Sequence, residues 1–340
     1  MTTTTGATGR RAVPTLDARP VTGGVVAALG TVYLVWGSTY LAIKYTVTAL
    51  PPLLAMGGRF LVAGVLLLAA VVLLRGPGVL RMTRSQAATA AVCGLLLLLG
   101  GNGMVAVAEQ DVDSGLAALL IASTPLWVVA LRALLRDRPS PVTVAGLVLG
   151  LVGVGLLLAP GIGGPGRLGP LLLVCLAAAL WAGGTVLATR RPLPADPFVT
   201  TVVEMLAGGA AMVVVGSLAG EWGRLEPAAV PASSWIALAY LVVAGSLVAY
   251  SAYVWLLARA PVSLTTTYAY VNPVVAVALG ALFLGEPLTT DVLVGGGIIV
   301  AAVALVISSR GGPRRRRPGR VRGRTATTGA VVGTGQDRTT

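Results

Sequence analysis

A chain of 340 residues that is 56% hydrophobic and only 11% charged, with a mean hydropathy of +0.87, is not built to be dissolved in water, where ordinary domains carry roughly 25% charged residues. Its net charge of +13 does not indicate nucleic acid, because nine arginines lie in one tail from Arg310 onward, beside an apolar segment; such a tail reads as a topology signal and a contact for membrane lipids. With no histidine, and with its one lysine, Lys44, outside any Gly-rich phosphate loop, the chain lacks the residues for His-based catalysis, most zinc chemistry and ATP hydrolysis.

In chain order, residues 1–23 are polar and Thr-rich and are expected to form a disordered cytoplasmic tail. Ten apolar runs follow, each long enough to cross a hydrocarbon core of roughly 30 Å at about 1.5 Å per residue. They cover 24–45, 53–74, 87–108, 114–135, 141–159, 169–189, 198–219, 234–257, 264–284 and 290–309. The runs are continuous rather than alternating, which excludes a β-barrel and predicts an all-α polytopic membrane protein. The first run is too long for a signal-peptide core and is expected to be retained. It carries Trp36 and, at its far end, Lys44, a residue expected to snorkel to the interface. Arg59 stands some six residues inside the second run, and Asn102 lies in the third. Glu109, at the end of the third run, is expected to be a solvated loop residue. Pro125 interrupts the fourth run beside Ser123 and Thr124, and Trp181 lies in the sixth. Glu204 is in the seventh, while the ninth holds Tyr268, Tyr270, Asn272 and Pro273. Residues 310–340 are basic, then Gly/Thr-rich, and are expected to be a second disordered cytoplasmic tail. Cys93 and Cys175 fall inside apolar runs and read as small packing residues, with no metal site implied.

The runs repeat. PLWVVALRALLRDRP from Pro125 returns 148 residues later as PVVAVALGALFLGEP from Pro273, and an offset of 145 pairs Trp36 with Trp181, Pro52 with Pro197, Leu61 with Leu206 and Gly64 with Gly209. The chain thus divides into two five-helix units, 24–159 and 169–309. Five is odd, so the second unit enters the membrane from the opposite side and the two repeats are inverted. Between spans, Arg75, Arg81, Arg84, Arg132, Arg136, Arg138, Arg190, Arg191 and Arg259 lie on the side of the tails, against Arg167 and Arg224 on the other. The positive-inside rule then places both termini in the cytoplasm and the acidic loop residues Glu109, Asp111, Asp113, Glu221, Glu226, Glu286 and Asp291 outside.

Arg59 and Glu204 occupy equivalent depths from opposite faces at the 145-residue offset. A charge at such depth costs roughly 2.5 to 3.5 kcal/mol and is normally turned towards the bundle interior or a wet cavity. Two readings stand: the charges lock helices together, or Arg59 orients an anionic or polar group while Glu204 binds a cationic substrate or a proton. Pro125 and Pro273 each remove an N–H and crowd the carbonyls of Ile121 and Ala269, so each helix is expected to kink there, either for packing or as a hinge along a substrate path.

WGSTY at Trp36–Tyr40, PP with GRFLVAG at 51–64, GNGMV at 101–105, TYAYVNPVVA at 267–276 and GEPL at 285–288 together resemble the EamA family of the drug/metabolite transporter superfamily, in particular its bacterial inner-membrane members. The resemblance covers about residues 24 to 309. It implies a ten-helix carrier of inverted repeats in the cell membrane, needing no cofactor and exporting a small metabolite, amino acid or drug, with proton exchange as a possible drive. The first repeat departs from the GE pair, with Asp137 and Arg138 where the second has Gly285 and Glu286, a difference expected to matter only to a loop. Substrate-path candidates are Arg59, Glu204, Asn102, Tyr268, Asn272, Trp36 and Trp181; hinge candidates are Pro125 and Pro273; no catalytic or metal-ligating set is identified. A channel and, further off, an intramembrane enzyme are the rival readings.

Overall fold

The structure is a computed structural model and describes residues 22–137, 139–162, 168–260 and 262–310. The two tails, Arg138 and Arg167 lie outside the described residues. The described residues form ten membrane-length units: α1 (Gly23–Val47), α2 (Pro52–Arg75), α3 (Arg84–Gly94, continuing through Leu95–Gly103 and Met104–Ala108), α4 (Ser114–Ile121 and, after a turn, Thr124–Leu134) and α5 (Pro141–Ile162). The second set is α6 (Leu168–Arg190), α7 (Pro197–Leu218), α8 (Ala232–Tyr240, continuing through Leu241–Val248 and Ala249–Arg259), α9 (Tyr268–Leu284, after a short helical turn at Val262–Thr265) and α10 (Thr290–Arg310). Nine of these are long and apolar enough to span a membrane by themselves, and α9 is 17 residues. The face on which α1 begins is called proximal and the opposite face distal.

The helices keep to the order that all-round apolar sequences impose. Large side chains point outward as well as inward: Leu34, Leu73, Leu218 and Leu282 are all exposed, as befits a bundle whose outer solvent is hydrocarbon. Entry to each helix is local chemistry. Pro52 and Pro197 sit in the first turns of α2 and α7, where the missing N–H has no partner to lose. Thr83 and Gln86 form a reciprocal cap on α3.

Three departures from simple helices organise the interior. α4 breaks at Ala122–Ser123, and Pro125 opens its second segment rather than kinking a continuous helix. α9 runs unbroken through Pro273, and its interruption falls earlier, at Thr266–Thr267. The interruptions of α4 and α9 therefore lie at different repeat positions, and Thr267, whose hydroxyl donates to the Leu264 carbonyl, stands at the second. The third departure has no signature in the apolar pattern. α3 and α8 widen into π-helix over Leu95–Gly103 and Leu241–Val248, and at the 145-residue offset the first stretch maps onto 240–248. A π turn inserts a residue into the helical ladder and is frequently found at functional sites.

The halves cross at small residues. α2 packs on α7, and α5 on α10. A methyl built on Gly57 would lie 2.9 Å from the carbonyl oxygen of Gly209, and one on Gly153 would lie 3.0 Å from that of Gly295. The closest approach is α3 on α7, where a methyl on Gly94 would collide with the backbone of Glu204. With lipid as apolar as leucine, this backbone approach supplies much of the attraction between helices. Gly94→Ala is therefore expected to destabilise the purified protein by about 1–3 kcal/mol, the cost of overpacking, read as a lower thermal midpoint. Gly155→Ala, where nothing lies within 4 Å of the new methyl, is expected to leave the midpoint unchanged.

Candidate functional site

Five of the seven path candidates gather around the π segment of α8. Arg59, 5% exposed, donates from Nε to Ser246 Oγ at 3.0 Å, with its guanidinium 4.6 Å from the Phe60 ring centre. One residue away, Gly245 accepts from Trp36 Nε1 at 3.2 Å. Trp36 in turn contacts the rings of Tyr253 and Tyr268, both at 5.2 Å between centroids, and Tyr253 meets Tyr268 edge-on at 5.6 Å. Tyr250, 6.4 Å from Tyr253, hydrogen-bonds Thr201 and lies within electrostatic reach of Glu204. Asn272 joins through α1: a methyl on Gly37, beside Trp36, would lie 3.2 Å from the Asn272 carbonyl oxygen, while Asn272 Oδ1 is buried without a partner. Trp36, Tyr250, Tyr253, Tyr268 and Glu204 are all half-buried, an aromatic group with one carboxylate at its edge.

Trp181 and Asn102 are not part of that group. Trp181 packs its six-membered ring against Gly101 in the π segment of α3, and Asn102 is the next residue. The arrangement nevertheless repeats the first: each tryptophan leaves its own half to rest on the π-widened turn of the other. Arg59 and Glu204, symmetric in sequence, do not meet; among the described residues neither forms an ion pair within 4.0 Å. Arg59 is held by a serine, Glu204 by its place against α3.

The distal connections overturn one expectation. Glu109 is wholly buried, not a solvated loop residue, and Glu221 is 2% exposed. Glu221, just past α7, accepts from the N–H groups of Leu53 at 3.3 Å and Leu54 at 2.9 Å and so caps the start of α2. Glu286, just past α9, accepts from Ser114 at 2.6 Å and Gly115 at 2.9 Å and caps the start of α4. Gly285 supplies the left-handed turn, φ 65°, that swings Glu286 back, so the GE pair has a mechanical meaning. In the first repeat the corresponding turn falls on Arg136, φ 67°, and Asp137 instead takes Arg132 and Arg190, at 2.8 and 2.9 Å. The Arg132 hydrogen bond, with help from Arg190, holds the Asp137 carboxyl below its ordinary range. The Lys44 ammonium donates to the carbonyls of Glu109 at 2.5 Å and Val112 at 3.0 Å at the end of α3, where a cation meets the negative end of the helix.

The model of the EamA-like transporter family matches residues 22–159 and again 168–308. The chain belongs to the EamA-like transporter family. It is 40% identical over 263 residues to the uncharacterized inner membrane transporter YedA of Escherichia coli K12, covering 77% of this chain and 83% of that one. It is also 26% identical over 280 residues to the uncharacterized transporter YoaV of Bacillus subtilis, 80% and 92% of the two chains. The WAT1-related chloroplastic protein At3g02690 of Arabidopsis thaliana matches at 26% over 272 residues, 77% of this chain and 64% of that one. A crystal structure with 23% identity superposes with a TM-score of 0.57 over 83% of this chain and 96% of its own, which shows a shared fold.

This EamA-like transporter therefore leaves Arg59 and Glu204 without an ion-pair partner among the described residues. If Arg59 and Glu204 act on separate partners, Arg59→Gln and Glu204→Gln are expected to add, the double variant differing from the sum of the single ones by less than about 0.5 kcal/mol in thermal unfolding. A coupling above about 1 kcal/mol would show that the two charges share a partner.

Proposed function

We propose that this multi-pass membrane transporter is a secondary carrier that exports a small metabolite, amino acid or drug by alternating access. The observation that carries the reading is the reciprocal docking of Trp36 on the π turn of α8 and of Trp181 on the π turn of α3. Inverted halves that hold each other by equivalent contacts can exchange conformations and so expose one central surface to each side in turn. The breaks at Ala122–Ser123 and Thr266–Thr267, with Pro125 and Pro273 nearby, are the hinge points of that motion, and the Trp36, Tyr253 and Tyr268 rings with Glu204 form its binding surface. Aromatic faces beside a lone carboxylate suit an amphipathic molecule bearing an amine. The nine-to-two excess of inter-span arginines puts the proximal face, and with it both termini, in the cytoplasm.

Two experiments test this. A metabolite comparison of medium from overexpressing and deletion cells supplies a substrate, and labelled counterflow of that substrate in proteoliposomes is expected to saturate. Glu204→Gln is expected to slow it roughly tenfold, the scale of one lost contact of about 1.4 kcal/mol. Flux that rises linearly with concentration and shows no counterflow would make the protein a channel. For sidedness, single cysteines at Thr2, Asp113, Arg224 and Thr340, in a background lacking Cys93 and Cys175, are challenged in intact cells with an impermeant thiol reagent. Labelling is expected at Asp113→Cys and Arg224→Cys only, and labelling confined to the two ends would reverse the orientation.

A further inference from the structure

The distal end of the bundle gathers three charges where helices from both halves meet. Lys44 comes from α1, Glu109 from the connection after α3, and Glu286 from the turn after α9. Lys44 and Glu286 are the charges that act on Glu109, and Tyr40 of α1 also lies within its electrostatic reach. Of the other elements packed nearby, α2 contributes Arg59, which is turned to Ser246, and α6 contributes Cys175. Asp111 and Asp113, on the same connection as Glu109, are exposed.

The three are not equally provided for. The Lys44 ammonium is held by two carbonyls, and Glu286 receives two N–H groups at a helix start. Glu109 has nothing: both carboxyl oxygens are buried without a hydrogen-bond partner, and Ser114 Oγ, at the end of α4 that Glu286 caps, is in the same condition. One cation faces two carboxyl groups, of which Glu109 alone is wholly buried and without a hydrogen-bond partner, so it is the group that a bound proton would satisfy. Burial pushes its carboxyl well above the ordinary range, a push that Lys44 opposes and Glu286 reinforces.

We propose that Glu109 is a proton-binding site whose occupancy holds the Glu286 cap closed on α4, so that loss of the proton parts α9 from α4 at the distal end. The step is a simple dissociation: the Glu109 O–H breaks, the proton passes to water, and the carboxylate left behind repels Glu286 across the cap. This deepens the carrier reading and rests on it for the use of the motion. The sign follows from linkage. The closed end raises the affinity of Glu109 for its proton, so closure is fully favoured at pH below the open-state pKa and is lost as pH rises through the closed-state pKa.

The test needs neither substrate nor sidedness. A reporter Leu116→Cys, beside the cap on α4, is placed in full-length protein lacking Cys93 and Cys175, and a second protein carries Gln110→Cys at an exposed position as reference. Both are reconstituted in nanodiscs and labelled with a maleimide between pH 5.5 and 8.5, and the ratio of their rates removes the reactivity of the thiol itself. The ratio is expected to rise with pH by up to about tenfold per unit, the limit for one proton. In Glu109→Gln, which imitates the protonated acid, it is expected to stay flat at the acid level, and in Glu286→Gln to be high throughout. Glu109→Asp, which still titrates, is expected to retain a rise with its midpoint displaced, and it serves if the Gln variant does not fold. A parent ratio that ignores pH, or a Glu109→Gln ratio that rises as the parent does, overturns the proposal. Because labelling is read without transport, either result is separate from failure of counterflow.

Discussion

In a bilayer every backbone polar group must find its partner inside the protein, yet no hydrophobic effect draws one apolar helix to another. The two halves of this transporter are joined where both demands are met at once, by backbones brought close at glycine. Gly57 on Gly209 and Gly94 on Glu204 hold α2 and α3 to α7, and Gly153 on Gly295 holds α5 to α10. Helices that approach this closely cannot also carry bulky side chains at the contact, and most of the aromatic rings lie on α1, α8 and α9. Trp36, Tyr253 and Tyr268 come together around the middle of α8.

The π-widened turns follow from the same demand. Such a turn shifts the register of the ladder and presents a carbonyl sideways, and at Gly245 that carbonyl accepts the indole of Trp36. Gly101 in the other half offers its flat face to Trp181. Each half thus reads the irregular turn of the other, and a helix that straightened would lose the contact.

The spans were legible because apolar length is a one-dimensional property, and the membrane enforces it residue by residue. The repeat was legible because Trp36 and Trp181, or Pro52 and Pro197, are too rare to coincide by chance. What the sequence could not show were properties of neighbours. An acidic residue next to a turn reads the same whether it meets water or the start of another helix, and only folding brings Glu221 to Leu54 and Glu286 to Ser114. GE before a proline was the available signal, since Gly285 makes the turn that aims the acid, but it reads as a loop until the cap is seen. Symmetry in sequence does not carry over to contacts: Arg59 and Glu204 are equivalent without pairing, and the interruptions of α4 and α9 fall at different repeat positions.

Those departures from symmetry matter more than the symmetry does. A perfectly inverted pair of repeats would have equal energies with either end closed, and nothing would bias it. Here the distal end is held by carboxylates that cap helix starts, Glu221 buried and Glu286 half-buried, whereas the corresponding proximal contacts are Arg75 with Asp196 and Asp137 with Arg132 and Arg190, ion pairs with exposed arginines that water and salt weaken. Closing the two ends is therefore not the same reaction. If Glu109 is the proton site proposed above, a change of pH acts on the distal end and leaves the screened ion pairs of the proximal end nearly untouched. In the carrier reading, unequal ends bias one closure over the other, and the inequality lies in Gly285 and Glu286: at the position of Gly285 the first repeat has Asp137, whose carboxylate is taken by Arg132 and Arg190.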